Sequence, residues 1–103
     1  MIAEAVNSKL EEVKHLMAKH RMKKGYLFGS SVKGKFNQES DIDVLVEVDE
    51  TIEPVELGGH LWDLQFELEH LFGRKVDLFT TRSLKNPVFI REVNETRELI
   101  YGY

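Results

Sequence analysis

The sequence contains no cysteine among its 103 residues. This absence excludes a disulfide framework, a cysteine-based metal site and a cysteine nucleophile. Long apolar runs are absent as well, and the short ones that occur could not span a membrane. The N-terminal stretch, MIAEAVNSKLEEVKH, is acidic and amphipathic, unlike a secretory signal. We therefore expect a cytoplasmic protein that does not enter a membrane.

Positive charge is also scarce, with 14 lysines and arginines against 18 acidic residues and a formal net charge of −4. This balance argues against direct nucleic-acid binding, which relies on clustered lysine and arginine. The composition as a whole, with 42% hydrophobic and 31% charged residues, is typical of a globular protein. The length predicts one domain over residues 1–103, with a core of modest size.

The stretch from residue 26 to residue 47, YLFGSSVKGKFNQESDIDVLVE, organises the chain. An apolar run ends at Gly29 and Ser30, ten residues follow, and Asp41 and Asp43 open a second apolar run. We predict a strand, a turn, a loop and a second strand. Because side chains alternate along a strand, both carboxylates share one face, while the apolar residues between and beyond them face the core. Two carboxylates this close repel each other, and a hard cation such as Mg²⁺ relieves the repulsion.

The predicted turn has the residue types that bind phosphate. Gly29 permits a tight turn in which the backbone approaches a ligand, and Ser30 offers both an N–H and a hydroxyl to a phosphate oxygen. If residues 31–34 form a helical turn, its amides, starting at Ser31, also point at the anion. Lys33 either contacts a triphosphate or is simply solvated, and its type alone does not decide between these.

Three short segments carry a family resemblance: GS at 29–30, KG at 33–34 and SDIDVLV at 40–46. Together they resemble the active-site signature of the DNA polymerase β-like nucleotidyltransferase superfamily. The likeness is greatest to the small MNT-type nucleotidyltransferases, which are often the antitoxins of HEPN–MNT toxin–antitoxin pairs. That family usually has an arginine where Lys33 stands, whereas the segment KVD at 75–77 also fits its pattern.

The resemblance implies a Mg²⁺-dependent transfer of AMP from ATP to a hydroxyl group. Asp41, Asp43 and Asp77 would hold the metal, and Asp77 would also help to deprotonate the acceptor. Gly29 and Ser30 would hold the β- and γ-phosphates, which leave as pyrophosphate. The implied acceptor is a tyrosine of a HEPN-type toxin, so the protein would be the antitoxin of that toxin.

Two other classes of function stay open at this stage. One is a catalytically idle antitoxin, a binding module that neutralises a toxin by covering it. The other is a nucleotidyltransferase that modifies a small molecule or RNA, although such relatives generally bring an additional substrate-binding domain. Self-association also stays open, because nothing in the sequence decides the oligomeric state.

Apolar periodicity places the secondary structure around the motif. We predict helices over residues 2–20, 54–72 and 86–96, and strands over 25–28, 42–48, 75–80 and 97–101. Pro54 starts the second helix and Gly73 caps its end. The resulting fold class is α/β (α+β), a polymerase β-like fold with a mixed sheet. We expect its helices mainly on one face and the active site on the other.

Several side chains receive more specific expectations. If the third strand neighbours the second, with Val76 and Leu78 on the core side, Asp77 is expected to join Asp41 and Asp43 in a cluster of three carboxylates. Trp62 and Phe66 are read as core residues rather than as a base-stacking or partner surface. The expected apolar contacts of the last helix are Val88, Phe89 and Val93, and His15 and His20 are read as surface histidines.

Overall fold

The computed structural model describes residues 2, 4–29, 32 and 40–102. Its helices are α1 (Glu4–Asn7), α2 (Leu10–Lys19), α3 (Pro54–Phe72) and α4 (Pro87–Thr96). Its strands are β1 (Lys24–Phe28), β2 (Ile42–Glu47), β3 (Val76–Thr80) and β4 (Glu98–Tyr101).

The four described strands form one sheet in the order β3-β2-β1-β4. Strand β1 pairs antiparallel with β2 and with β4, whereas β2 and β3 are parallel. The parallel pair requires a crossover connection, which α3 provides. The predicted mixed sheet and the predicted adjacency of the second and third strands are therefore both confirmed.

The larger core lies between the sheet and helices α1 to α3. Strand β2 contributes Ile42, Val44 and Val46 to this core, and α3 contributes Leu64 and Leu68, all of them fully buried. These residues alternate along the strand and recur at a helical spacing along α3, as an apolar face requires. The core side predicted for alternate residues of β2 is thus confirmed.

A smaller apolar cluster covers the opposite face of the sheet, against α4. It consists of Phe28, Leu45 and Val93, with Tyr26, Phe79, Leu84 and Phe89 packed against it. Three helices therefore lie on one face, as expected, but α4 shares the other face with the predicted site. Val88 is 74% exposed, so the prediction that it packs inward was wrong. It lies about 100° around the helix from Phe89 and so points away from the cluster.

Helices α3 and α4 begin and end with the predicted signals. Pro54 is the first residue of α3, and Gly73 ends that helix in the left-handed conformation with φ 65°. Asn86 precedes α4, and its side chain accepts a hydrogen bond of 2.9 Å from the N–H of Val88. Within the ranges that the structure describes, no helix is both long enough and apolar enough to cross a bilayer.

The N-terminal helix is interrupted, contrary to the prediction of one helix over residues 2–20. The chain turns at Ser8 and Lys9 between α1 and α2. Asn7 and Ser8 are weak helix formers, and the Lys9 ammonium donates a 2.8 Å hydrogen bond to the Leu71 carbonyl near the end of α3. Since helix ends leave carbonyls unpaired, this contact holds α1 and α2 against α3 at the break.

His20 is buried rather than on the surface as predicted, with only 5% of its area exposed. Its Nε2 lies 2.7 Å from a Glu67 carboxylate oxygen, and its Nδ1 lies 3.1 Å from Nδ1 of His60. The chain reverses after α2 through Arg21, whose φ is 60°, and this turn carries His20 against α3. His15 is exposed, as predicted.

Trp62 and Phe66 were predicted to be core residues, and this was wrong. Trp62 is 77% exposed and Phe66 is 67% exposed. The inward face of α3 is already filled by leucines, including Leu64 and Leu68. Trp62 lies two residues before Leu64, which is about 200° around the helix, so its side chain points away from the core.

Candidate active site

The candidate catalytic side chains meet at one end of the sheet. Asp43 in β2 and Asp77 in β3 are directly paired in the parallel register. Asp41 stands just before β2 and is exposed, and Gly29 follows the last residue of β1. Because paired residues of neighbouring strands point to the same face, Asp43 and Asp77 both project opposite the larger core. Of the predicted cluster of three carboxylates, the pairing of Asp77 with Asp43 is confirmed, and the inclusion of Asp41 stays a prediction.

Gly29 is required by both its conformation and its surroundings. Its φ is +71°, a region that side chains other than glycine rarely adopt. A Cβ atom on this residue would also lie 2.5 Å from Oδ2 of Asp43. The turn after β1 therefore brings the backbone against the carboxylate, and a larger residue would have to displace the Asp43 side chain.

Helix α4 supports this turn from the side. The N–H of Gly29 donates to the Thr96 hydroxyl at 3.4 Å, and that hydroxyl donates to the Glu92 carbonyl at 2.9 Å. Glu92 also contributes negative charge to the site, since it is one of the groups that raise the pKa of Asp43. Sequence analysis missed both Thr96 and Glu92, because their four-residue spacing is common to the surface of any helix.

Asp43 is the most perturbed carboxyl group of the site. Burial raises its pKa from 3.8 to about 6, with further contributions from the neighbouring charges of Asp77, Asp41 and Glu92. Lys75 acts in the opposite direction, and its Nζ lies 3.6 Å from an Asp77 oxygen. A partly buried carboxylate surrounded by other carboxylates gains most from a nearby cation.

The chemistry of these residues fits Mg²⁺. Carboxylate oxygens are the ligands that Mg²⁺ prefers, and it is usually bound through one or two carboxylates, with water and phosphate oxygens completing its coordination. Asp43 and Asp77 supply such a pair. Across the part of the chain that the structure describes, no three acidic or histidine side chains are already gathered as a metal site. Asp41, which is exposed, would thus have to turn towards an ion that Asp43 and Asp77 hold.

Three predicted nucleotide-binding residues cannot be placed. Ser30, Ser31 and Lys33 lie outside the described residues, so their proposed contacts with a triphosphate remain predictions. The described part of the turn, Gly29, lies close to the Asp43 carboxylate.

Aromatic residues form the apolar floor beside the carboxylates. The rings of Phe28, Phe79 and Phe89 pack against one another with centroid separations of 5.4 to 5.9 Å. Phe28 is paired with Asp43 across β1 and β2, and it therefore shares the face on which Asp43 lies. This apolar environment accounts for the burial that raises the pKa of Asp43. Phe79 and Phe89 are both partly exposed and both pack against Phe28.

Comparison with known families gives one match that covers most of the chain. The family model described as "Polymerase beta, Nucleotidyltransferase" matches residues 11–103. That range contains Gly29 and all three aspartates of the candidate site. The match therefore covers both the sheet and the residues at its end.

Two curated relatives have similar lengths and names. A candidate protein adenylyltransferase of Methanocaldococcus jannaschii, MJ1379, is 38% identical over 100 residues, covering 89% of this chain and 96% of the relative. The protein adenylyltransferase MntA of Thermococcus cleftensis is 30% identical over 95 residues, covering 82% of this chain and 92% of the relative.

A solved structure has the same fold. The crystal structure of a toxin–antitoxin with AMP-PNP contains a chain that superimposes with a TM-score of 0.73 at 25% identity. The superposition covers 91% of this chain and 73% of that one. The protein described here is thus similar in fold to a chain crystallised together with a non-hydrolysable ATP analogue.

Proposed function

This chain belongs to the polymerase β nucleotidyltransferase family, and we propose that it transfers AMP from ATP to a tyrosine hydroxyl of a HEPN-type toxin partner. The observation that carries the proposal is the direct pairing of Asp43 with Asp77 on the open end of the sheet, beside the turn at Gly29. Relatives named as protein adenylyltransferases, at 38% and 30% identity, support both the donor and the class of acceptor.

The reaction follows from the order of groups at the site. The acceptor oxygen attacks the α-phosphorus of ATP, the bond from that phosphorus to the β-bridging oxygen breaks, and pyrophosphate leaves. Gly29 and Ser30 would hold the β- and γ-phosphates, and Ser31 and Lys33 would be further nucleotide-binding residues. Asp77, with 32% of its side chain exposed, accepts the proton of the attacking hydroxyl.

Mg²⁺ bound by Asp41, Asp43 and Asp77 would neutralise charge on the phosphates and on the attacking and leaving oxygens. The protein's own contribution is to hold the carboxylates close together. Asp43 lies next to the backbone of Gly29 and beside Phe28, its partner across β1 and β2.

Transfer to the partner protein would give the chain its antitoxin role. An AMP group adds bulk and negative charge to a tyrosine, and both oppose the entry of RNA into a ribonuclease active site. The relative in the solved complex comes from a toxin–antitoxin pair, which supports a toxin as partner. A second candidate, inhibition through complex formation without transfer, is distinguished by the experiment below.

The test is co-expression of this chain with the product of the neighbouring open reading frame, followed by intact-mass measurement of that product. The wild type is expected to add one or more AMP groups, and Asp43→Asn is expected to add none. Glu12→Gln is the matched control, because Glu12 is an exposed carboxylate on α2, on the other side of the sheet. An unmodified but tightly bound and inhibited partner would overturn the enzymatic proposal in favour of simple complex formation.

A further inference from the structure

The outward face of α3 carries an apolar stripe that the proposed chemistry does not use. Its residues are Val55, Gly59, Trp62 and Phe66, spaced four, three and four apart and so aligned on one side of the helix. Val55 is 83% exposed, Trp62 is 77% exposed and Phe66 is 67% exposed. We call these four residues the outer stripe.

The outer stripe is large for a chain of this size. Its three apolar side chains leave on the order of 400 Å² accessible, given the area that aromatic side chains bury when covered. Contiguous apolar patches of this size on soluble monomers are commonly interaction sites. The area corresponds to roughly half of one partner's share in a standard interface of about 800 Å² per side.

The charge that α3 itself places around the outer stripe is negative, although Arg21 lies 3.9 Å from Glu56 and Lys19 lies 3.0 Å from Glu67. Helix α3 contains Glu56, Asp63, Glu67 and Glu69, and it contains neither lysine nor arginine. Glu56 and Asp63 are exposed along one side of the stripe, and Glu69 lies on the other side. Two copies of this helix packed face to face would bring carboxylates against carboxylates, which is unfavourable. The complementary surface is therefore an apolar one edged by lysine or arginine on a different protein.

The neighbouring edge strand, β3, has backbone groups that are already hydrogen-bonded within the chain. At Val76 in the edge strand β3, the N–H donates to Glu69 and the carbonyl accepts from Gln65, both at 3.1 Å. At Thr80 the N–H and the carbonyl are both bonded to the Ser83 hydroxyl. Because the backbone groups at both ends of β3 are already paired, this edge is less suited to adding a strand, and we expect a partner to bind through side chains.

The outer stripe also lies next to β3, the strand that carries Asp77. A groove of about 210 Å³ separates α3 from β3, lined by Gly58, Leu61, Trp62, Gln65, Leu78 and Thr80. Leu78 directly follows Asp77, so the groove runs along the strand that carries one of the catalytic carboxylates. A protein held on the stripe could extend a segment around the edge of β3 to the opposite face.

We propose that the outer stripe is the docking surface for the toxin partner, which meets it with an apolar patch edged by basic side chains. The identity of that partner rests on the proposed function. Docking and AMP transfer then use separate surfaces, on opposite sides of the sheet. One surface holds the partner in place, and the other modifies a segment that reaches around β3.

The test uses Trp62→Glu, Phe66→Glu and the double variant, each co-expressed with the product of the neighbouring open reading frame. Complex formation is measured by light scattering and by titration calorimetry of the purified chains. We expect the double variant to weaken binding roughly 100-fold or more, because exposed aromatics of this kind dominate interface energies. The shift in melting temperature on adding Mg²⁺ and ATP should be unchanged, which shows that the fold and the catalytic face are intact.

Val88→Glu is the matched control, since Val88 is a similarly exposed apolar residue that lies on α4 instead. It should leave binding within about threefold of the wild type. Binding by the double variant that stays equally close to wild type would overturn the proposal. So would a wild type that forms no complex with that product, or a wild-type dimer that Trp62→Glu converts to a monomer.

The same measurements separate this proposal from the enzymatic one. If the wild-type complex forms and depends on Trp62 and Phe66 but the partner never acquires AMP, the proposed reaction fails and the docking surface stands. If AMP is transferred equally well by the double variant under dilute conditions, the docking surface fails and the reaction stands.

Discussion

The two faces of the sheet are built for different purposes. The face covered by α1 to α3 is lined by aliphatic residues of which Ile42, Val44 and Val46 are fully buried. The opposite face has a smaller aromatic cluster with Asp43 and Asp77 at its edge. Strand β2 serves both, because its residues alternate between them. The comparison indicates that stability resides mainly on the first face, and that the second face holds charges at some cost in stability.

The largest expected effect is the loss of a side chain from the aliphatic face. Leu68→Ala removes a fully buried side chain from α3 and leaves a cavity. We expect it to lower the free energy of unfolding by about 2–5 kcal/mol. Trp62→Ala on the same helix should change it by less than about 0.5 kcal/mol, because Trp62 is exposed. Urea denaturation of both variants tests the contrast, and equal losses would contradict it.

On the catalytic face, we expect a substitution to raise the free energy of unfolding instead of lowering it. Asp43→Asn removes a carboxylate whose pKa is raised to about 6 by burial and by the charges of Asp77, Asp41 and Glu92. In EDTA above pH 7, the variant should be more stable than the wild type by about 1–2 kcal/mol, which is less than the full pKa shift implies because solvent screens this partly exposed group. Mg²⁺ with ATP should raise the melting temperature of the wild type and leave that of the variant nearly unchanged.

The pH dependence of stability follows from the same group. The native protein keeps the Asp43 proton at pH values where the unfolded chain, with a pKa near 3.8, has already released it. This contribution is therefore fully present below about pH 4 and is lost as the pH rises through about 6. In EDTA, the stability advantage of Asp43→Asn over the wild type should grow across this window. An advantage that is constant with pH would show that Asp43 is not perturbed in the fold.

Substitution of two glycines, one beside the catalytic carboxylates and one at the end of α3, should give smaller changes in stability. Gly29 and Gly73 both have positive φ, at 71° and 65°, but only at Gly29 would an added Cβ meet another group, Oδ2 of Asp43. Gly73→Ala should cost about 1 kcal/mol of unfolding free energy from backbone strain alone. Gly29→Ala should cost about 1 kcal/mol more and should also weaken the response to Mg²⁺ and ATP. Equal costs would mean that the contact with Asp43 relaxes freely.

The smallest expected effect is a gain at the end of α2. Arg21 occupies the left-handed position with φ 60°, where glycine is ordinarily preferred. The reversal is closed by Met22, whose N–H donates to the Met17 carbonyl at 3.0 Å. Arg21→Gly should therefore raise the free energy of unfolding by about 0.5–1 kcal/mol, as measured by thermal unfolding. A loss of stability would show that the arginine side chain contributes more than its backbone conformation costs.

The sequence was most informative where local rules and the motif agreed. Pro54 and Gly73 delimit α3 as predicted, because both act through their own backbone geometry. The placement of Asp77 beside Asp43 also followed, since the family motif and a parallel crossover both required it. The mixed sheet followed from the order of the elements together with the family resemblance.

Prediction failed where the outcome depended on residues distant in sequence. Periodicity could not tell that the leucines of α3 would fill the core and leave Trp62 exposed. Nor could spacing along α2 show that His20 would meet His60 and Glu67, which are 40 and 47 residues away. The role of Thr96 beside Gly29 depended on how α4 docks on the sheet, which no local pattern specifies.

The most direct test of the central claim is to follow the two ends of the triphosphate separately. The purified chain and its partner are incubated with Mg²⁺ and with ATP labelled at either the α- or the γ-phosphorus. The account predicts that the α-label becomes covalently bound to the partner and that the γ-label is released as pyrophosphate. It also predicts that Asp43→Asn abolishes the transfer and that Glu12→Gln does not. Label arriving from the γ-position, or full transfer by Asp43→Asn, would contradict the assignment of AMP transfer to the site built by Asp43 and Asp77.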